Sequence, residues 1–244
     1  MTTTPDQYKP VTPAGLIGSP AESAASLMRH TLNLKHQLEP KLKLMLYGVP
    51  GCGKTTIADM LAKALAAHAV DIESINGRNL TIDTVREWQF QSRYASLFGG
   101  WKVKVINEAD LVPAAAQDLM LSYLDEMPAH TAVIATSNAT METLSERFST
   151  RFGPVRIEPP TEEQIVDFLR RFWKLPKSQA AFIAQGSNGN VRDALLRAAN
   201  YLIFGIAEAR PPRPAAPAVS RSGSEAALKA WETRRANETA TGKN

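Results

Sequence analysis

The chain has a single cysteine, Cys52, which excludes an intramolecular disulfide and a thiolate zinc module. No apolar run reaches membrane-spanning length and no signal-peptide pattern opens the chain, so a soluble, cytoplasmic protein without a membrane partner is expected. The four histidines, His30, His36, His68 and His130, lack the spacing of a metal site. Most of the chain also lacks a charge excess. From Arg210 onward there are seven Lys or Arg and three Glu, a surplus equal to the whole-chain net charge of +4. The basicity therefore belongs to the tail, where contact with nucleic acid and plain solubility are both open readings.

What is present suits a globular protein: 244 residues, 44% apolar and 21% charged, enough for one large or two small domains with a real core. The chain is organised around Gly48-Val49-Pro50-Gly51-Cys52-Gly53-Lys54-Thr55-Thr56, which matches the phosphate-binding pattern G-x-x-x-x-G-K-[ST]. Leu44 to Tyr47 before it suits a buried parallel strand, and Ile57, Met60, Leu61, Ala64 and Leu65 after it recur at helical spacing. Glycines let successive backbone N–H groups turn toward an anion at a helix N-terminus, where the helix dipole adds positive charge. Lys54 would reach the β- and γ-phosphates, and the Thr55 hydroxyl would ligate Mg²⁺. Cys52, at a helix N-terminus, is expected to have a lowered pKa, although its simpler role is to fill a variable loop position.

Residues 1–18 are Pro-rich and read as extended. Ser19-Pro20-Ala21-Glu22 predicts a capping box and a helix to about Gln37, with Ala24, Leu27, Met28, Thr31 and Leu32 inward. Val70 to Ile75 predicts a strand, and Thr84 to about Leu97 a helix with Val85, Trp88 and Tyr94 inward. Val103 to Ile106 is a third strand, ending in Asn107-Glu108-Ala109-Asp110; residues 113–126 predict a helix, and Thr131 to Thr136 a strand closed by Asn138. Val155 to Ile157 is a fifth strand, and Pro159-Pro160 marks a domain boundary. Thr161-Glu162-Glu163-Gln164 then opens a helix with Ile165, Phe168, Leu169 and Phe172 inward. Ser178 to Gln185 and Val191 to Phe204 are further helices, the latter with Leu195, Ala198 and Leu202 inward. Three short helices cannot enclose a large core alone, so they read as a lid over a nucleotide. The expected organisation is an α/β P-loop core over 1–159, an all-α lid over 160–206, and a Pro/Ala-rich basic tail, disordered, over 207–244.

In a parallel sheet the C-terminal strand ends share one rim, so Glu108 would face the nucleotide and polarise an attacking water. The alternative for Glu108 is a solvated position before the helix that starts near Pro113. Asn107 stands where an aspartate normally helps hold Mg²⁺; an amide brings no negative charge there, which would weaken metal binding or hydrolysis. Asn138 could orient the lytic water or simply form a turn. Arg192, at a helix start in the lid, could meet the phosphates or make an exposed salt bridge.

Taken in order from residue 8 to residue 204, these motifs resemble AAA+ ATPases of the clamp-loader branch, meaning replication factor C small subunits and their bacterial and phage relatives. Tyr8-Lys9-Pro10 with Leu16-Ile17-Gly18 resembles that branch's opening and its apolar-glycine element against adenine, which implicates Ile17 and Gly18. Glu73 to Gly77 followed by Ile82 to Glu87, and Ala116 to Leu119, resemble further segments of the branch. The resemblance implies that Lys54 and Thr55 are the Walker A pair, Glu108 the Walker B glutamate and Asn138 the sensor 1 residue. It also implies that Gly189-Asn190-Val191-Arg192 is a sensor 2 motif and that Arg151, in Ser149-Thr150-Arg151-Phe152, projects into a neighbouring subunit's ATP site. Implied with these are ATP and Mg²⁺, a five-stranded parallel sheet, other AAA+ subunits, DNA, and a sliding clamp or other replication protein as partners. Three departures from the branch are Asn107, Phe152 in place of a cysteine, and a tail that does not match the family's helical collar. The alternative to a hydrolysing motor is a nucleotide-gated assembly protein with slow turnover.

Overall fold

Apolar side chains alternate along the strands, and that alternation divides the core into two layers. The computed structural model describes residues 8–34, 39–138 and 146–205. Five strands, β1 (Lys41–Tyr47), β2 (Ile72–Asn76), β3 (Lys102–Asn107), β4 (Thr131–Ser137) and β5 (Gly153–Arg156), form a parallel sheet in the order β2-β3-β4-β1-β5. Successive side chains point to opposite faces. Leu44, Leu46, Val103, Val105, Ala132 and Ile134 thus meet Ala24 of α1 (Ser19–Leu34) and Ile57 and Leu61 of α2 (Lys54–Leu65). Met45, Ile106, Val133 and Ala135 meet Trp88 of α3 (Ile82–Gln91), Met120 and Leu124 of α4 (Ala114–Asp125), and Phe148 of α5 (Glu146–Ser149). Helices on both faces are what a parallel sheet with apolar strands requires. The α/β fold expected from the sequence is therefore present.

The remaining helices, α6 (Glu162–Trp173), α7 (Lys177–Ser187) and α8 (Val191–Phe204), close on a third apolar cluster that includes Ile165, Leu169, Ile183, Ala194 and Ala198. The capping box at the start of α6 forms, with the Thr161 hydroxyl accepting from the Gln164 N–H at 3.3 Å and the Gln164 side chain accepting from the Thr161 N–H at 2.9 Å. The N-terminal strap touches both parts: Lys9 pairs with Asp59 of α2, and the Tyr8 ring lies 4.7 Å from that of Trp173 in α6.

Departures from the sequence reading concern mostly apolar residues left in water. Leu32, Phe172 and Leu202, expected inward, are 45%, 60% and 53% exposed. The helix expected to run to Leu97 ends at Gln91, and Tyr94 is exposed together with Phe90, Leu97 and Phe98. The strand expected from Val70 begins at Ile72, because His68 caps a 3₁₀ turn over Ala69–Asp71 and holds Val70 outward. The first helix starts at Ser19 itself. Residues 35–38, 139–145 and 206–244 lie outside the described residues, so the end of the first helix expected near Gln37, part of the 144–152 segment and the tail are not followed further.

Candidate functional site

Register puts the strand ends on one rim: Tyr47 lies opposite both Ser137 and Arg156, and Asn76 opposite Asn107. The loop after β1, Glu108 after β3 and Asn138 after β4 therefore leave the sheet together, outside the carboxyl ends of the strands where ligands of such sheets bind. The loop from Gly48 through Gly53 ends at α2, whose N-cap is Gly53, with no side chain capping its first turn. A helix start of this kind, with its first-turn N–H groups and the positive end of the dipole toward the loop, favours an anion. Gly51 has φ of 79°, and a Cβ there would lie 1.9 Å from Asn190 Oδ1, so both conformation and space demand glycine. Pro50 is exposed, while Thr55 and Thr56 are half-buried on the first turn of α2.

Lys54 is only 6% exposed, and its ammonium donates to the carbonyls of Gly48 at 2.9 Å and Val49 at 2.7 Å. Burial pushes its pKa down; nearby Cys52 and Asp110 oppose the shift, and the Arg192 guanidinium adds to it. A phosphate would give this desolvated cation a directly contacting opposite charge, since among the described residues it makes no ion pair. Cys52 departs from expectation. Its side chain is buried in the cluster with Leu46 and Ile57, 3.7 Å from the Ile157 carbonyl, and burial raises the thiol pKa more than Lys54 lowers it. Only its backbone remains a candidate to face a phosphate. Ile17 is half-buried, and Gly18 lies against the Gln164 side chain that caps α6.

Glu108 has left-handed backbone angles, φ 57° and ψ 54°, which cost about 1–2 kcal/mol for such a residue. Three contacts hold it: its N–H donates to Thr136 Oγ1 at 3.2 Å, its carbonyl accepts from the Leu111 N–H at 2.9 Å, and its carboxylate accepts from Asn76 Nδ2 at 2.8 Å. Gly77 lets this pairing close up, since a Cβ there would meet the Glu108 carbonyl at 2.3 Å. The Asn107 amide is also engaged, donating to Ser74 Oγ at 3.1 Å and accepting from Thr136 Oγ1 at 3.4 Å. Asn138 donates its backbone N–H to Asp110 at 3.2 Å. Neither Asn76 nor Asp110 was singled out from the sequence; the available signal was that Asn76 ends a strand on this rim and Asp110 closes the acidic run.

Arg192 is brought to the loop by backbone: the Val191 N–H donates to the Gly51 carbonyl at 3.2 Å, and Asn190 caps α8 by accepting from the Asp193 N–H at 3.1 Å. Arg151 is placed differently. It precedes β5, and its guanidinium grips Asp125, the last residue of α4, through Nε at 2.9 and 3.0 Å and Nη2 at 2.7 Å. Since α4 returns the chain from the end of β3 to the start of β4, this pair sits toward the other end of the strands from the phosphate loop. The fold thus gathers Lys54, Thr55, Glu108, Asn138 and Arg192 on one rim and leaves Arg151 elsewhere.

The sequence profile described as "ATPase family associated with various cellular activities (AAA)" matches residues 44–161, the span from β1 past β5. Residues 44–161 are an AAA domain. Around this AAA domain the chain is 27% identical to replication factor C subunit 5 of Oryza sativa, over 63% of this chain and 55% of that protein. It is 24% identical to DNA polymerase III subunit gamma of Buchnera aphidicola, over 62% of this chain and 48% of that protein. The chain spans about half the length of these curated relatives. The resemblance to replication factor C subunits and their bacterial counterparts, read from the motifs, holds. Solved structures of similar fold include the Thermotoga maritima RuvB Holliday junction branch migration motor, with TM-score 0.63 at 17% identity over 83% of this chain and 69% of that one. Another is a DNA polymerase III gamma subunit-related protein of Thermotoga maritima, with TM-score 0.53 at 15% identity over 73% and 57% of the two chains.

Proposed function

We propose that the protein binds ATP with Mg²⁺ and hydrolyses it as part of an oligomer that loads or remodels a protein on DNA during replication or repair. The observation that carries this reading is Lys54, a buried ammonium resting on neutral carbonyls at an uncapped helix start, with Glu108 on the same rim. Lys54 and the loop amides would hold the β- and γ-phosphates, Arg192 would approach them from the lid, and Ile17 and Gly18 would border the base. Bound Mg²⁺ would neutralise charge developing on the phosphate oxygens. Thr55 fits it as a hydroxyl ligand, whereas the Asn107 amide is already spent on Ser74 and Thr136. Glu108 would accept a proton from the attacking water once its carboxylate leaves Asn76, and Asn138 would orient that water. Arg151, remote from its own rim, would act on the site of a neighbouring subunit.

The division into a core over 1–159, a lid over 160–206 and a basic tail over 207–244 accompanies this proposal. Among the described residues no helix is long and apolar enough to cross a membrane. The test is ATP turnover with and without DNA for wild type, Glu108→Gln, Arg151→Ala and a mixture of the two variants. Each variant alone should be nearly inactive and the mixture should recover hydrolysis; an active wild type without recovery in the mixture rules out shared sites. A second reading, a nucleotide-gated recruitment protein, is favoured by the engaged Asn107 amide. Turnover above about 0.01 per second at saturating Mg²⁺, as for a GTPase with its arginine in cis, would exclude it.

A further inference from the structure

Asp125 sits at the C-terminal end of α4, where the helix dipole opposes a negative charge, so the helix gains nothing from it. Its partner is Arg151. Both carboxylate oxygens are used, with Nε reaching Oδ1 at 2.9 Å and Oδ2 at 3.0 Å, and Nη2 reaching Oδ2 at 2.7 Å. A third anchor comes from Nη1, which donates to the Arg147 carbonyl one turn back at 2.7 Å. Among the described residues these contacts leave one N–H on each terminal nitrogen, donors with which a guanidinium can reach a phosphoryl group. The hydrogen bonds to Arg151 hold the Asp125 carboxyl below its ordinary range, with Lys43 adding a smaller effect, so the pair persists at neutral pH. Half of the Asp125 side chain and about a quarter of that of Arg151 remain solvent-accessible, so the pair sits where another molecule can reach it.

We infer that Asp125 is a positioning residue: it fixes the plane and direction of the Arg151 guanidinium so that its free edge is presented to the phosphate of a neighbouring copy. The inference rests on the proposal that Arg151 acts in trans. A flexible arginine would have to be ordered at each turnover, whereas a clamped one meets the transferring group already oriented.

The experiment uses mixed full-length chains and steady-state ATP hydrolysis. Arg151→Ala keeps its own rim and needs a donor; Glu108→Gln cannot hydrolyse but still donates Arg151. Their mixture sets the reference activity. Replacing the donor by Glu108→Gln/Asp125→Asn should lower kcat of the mixture about tenfold, with KM for ATP changed less than twofold because the acceptor's rim is untouched. A donor with Glu108→Gln/Asp125→Glu should restore at least half of the reference, since a carboxylate returns to the fork. Unchanged kcat with the Asp125→Asn donor overturns the inference while leaving shared sites intact, and a raised kcat overturns it in favour of a restraining contact. A rise in KM matching the fall in kcat/KM, with kcat preserved, overturns it as a mere assembly effect. If the reference mixture itself fails to recover activity, the trans proposal falls and the inference with it.

Discussion

Two lysines are buried almost equally and serve opposite ends. Lys54, 6% exposed, rests on two neutral carbonyls at the phosphate loop and makes no ion pair among the described residues. Lys104, 4% exposed, lies inside the layer between β3 and α3, ion-paired with Glu73, bonded to Gln91 and 5.4 Å from the centre of the Trp88 ring. Glu73 in turn accepts from Trp88 Nε1 at 2.7 Å, so the second cation belongs to a closed network. A buried charge without an opposite charge is costly and is kept where a ligand supplies the missing partner; one already satisfied is part of the scaffold. Burial alone does not separate them, but the partner does.

The contrast breaks first under Lys54→Met. ATP affinity should fall at least about a hundredfold, the loss of a charge-assisted contact worth about 3 kcal/mol, while the melting midpoint in the absence of nucleotide stays level or rises, because a desolvated charge is removed. Lys104→Met should do the reverse, costing about 1–3 kcal/mol in denaturant unfolding because Glu73 loses its cation, with ATP affinity unchanged; the range is set below that of a fully buried pair because Glu73 is partly exposed. If both substitutions move the same readout in the same direction, the distinction is wrong. Asn107→Asp sharpens it by adding a carboxylate to the rim. Thr136 can still donate to the new side chain, so the fold should hold, and the Mg²⁺ concentration for half-maximal hydrolysis should fall about fivefold, about 1 kcal/mol for one added charge near the metal. The smallest effect concerns the thiol beneath Lys54. Because burial raises the pKa of Cys52, the reactive thiolate is scarce until the pH exceeds the ordinary thiol range. Alkylation of the folded protein at pH 8 should run at least about tenfold slower than after unfolding, and rapid labelling at that pH would contradict the burial.

The parts of this arrangement that could be read from sequence are those written locally. The phosphate loop is a contiguous pattern, and the unbroken apolar run Leu44-Met45-Leu46 marks a strand buried on both faces, which is how the structure places it between two layers. The capping box at Thr161 was equally legible because both of its bonds span three residues. Helix spacing misled where an apolar stripe was wider than the face it buries, as at Phe172 in α6 and Leu202 in α8, or where the helix stopped early, as at Gln91. Asp125 was invisible because its meaning lies in a contact to a residue 26 positions away, and Asn76, legible as a strand end, gave no sign of its bond to Glu108, 32 positions away. The raised pKa of Cys52 was missed for a related reason: position at a helix start was weighed, but the core behind the loop was not yet known.

The hydrogen bond from Val191 to the Gly51 carbonyl ties one end of α8 to the phosphate loop. The fourteen residues of α8 make a rod about 21 Å long. A tilt of about 10° about that pin would carry Phe204 through about 3 Å, given a rise of about 1.5 Å per residue. A rearrangement of the loop that tilted the rod by that amount would thus be felt at its far tip, where Phe204 is exposed.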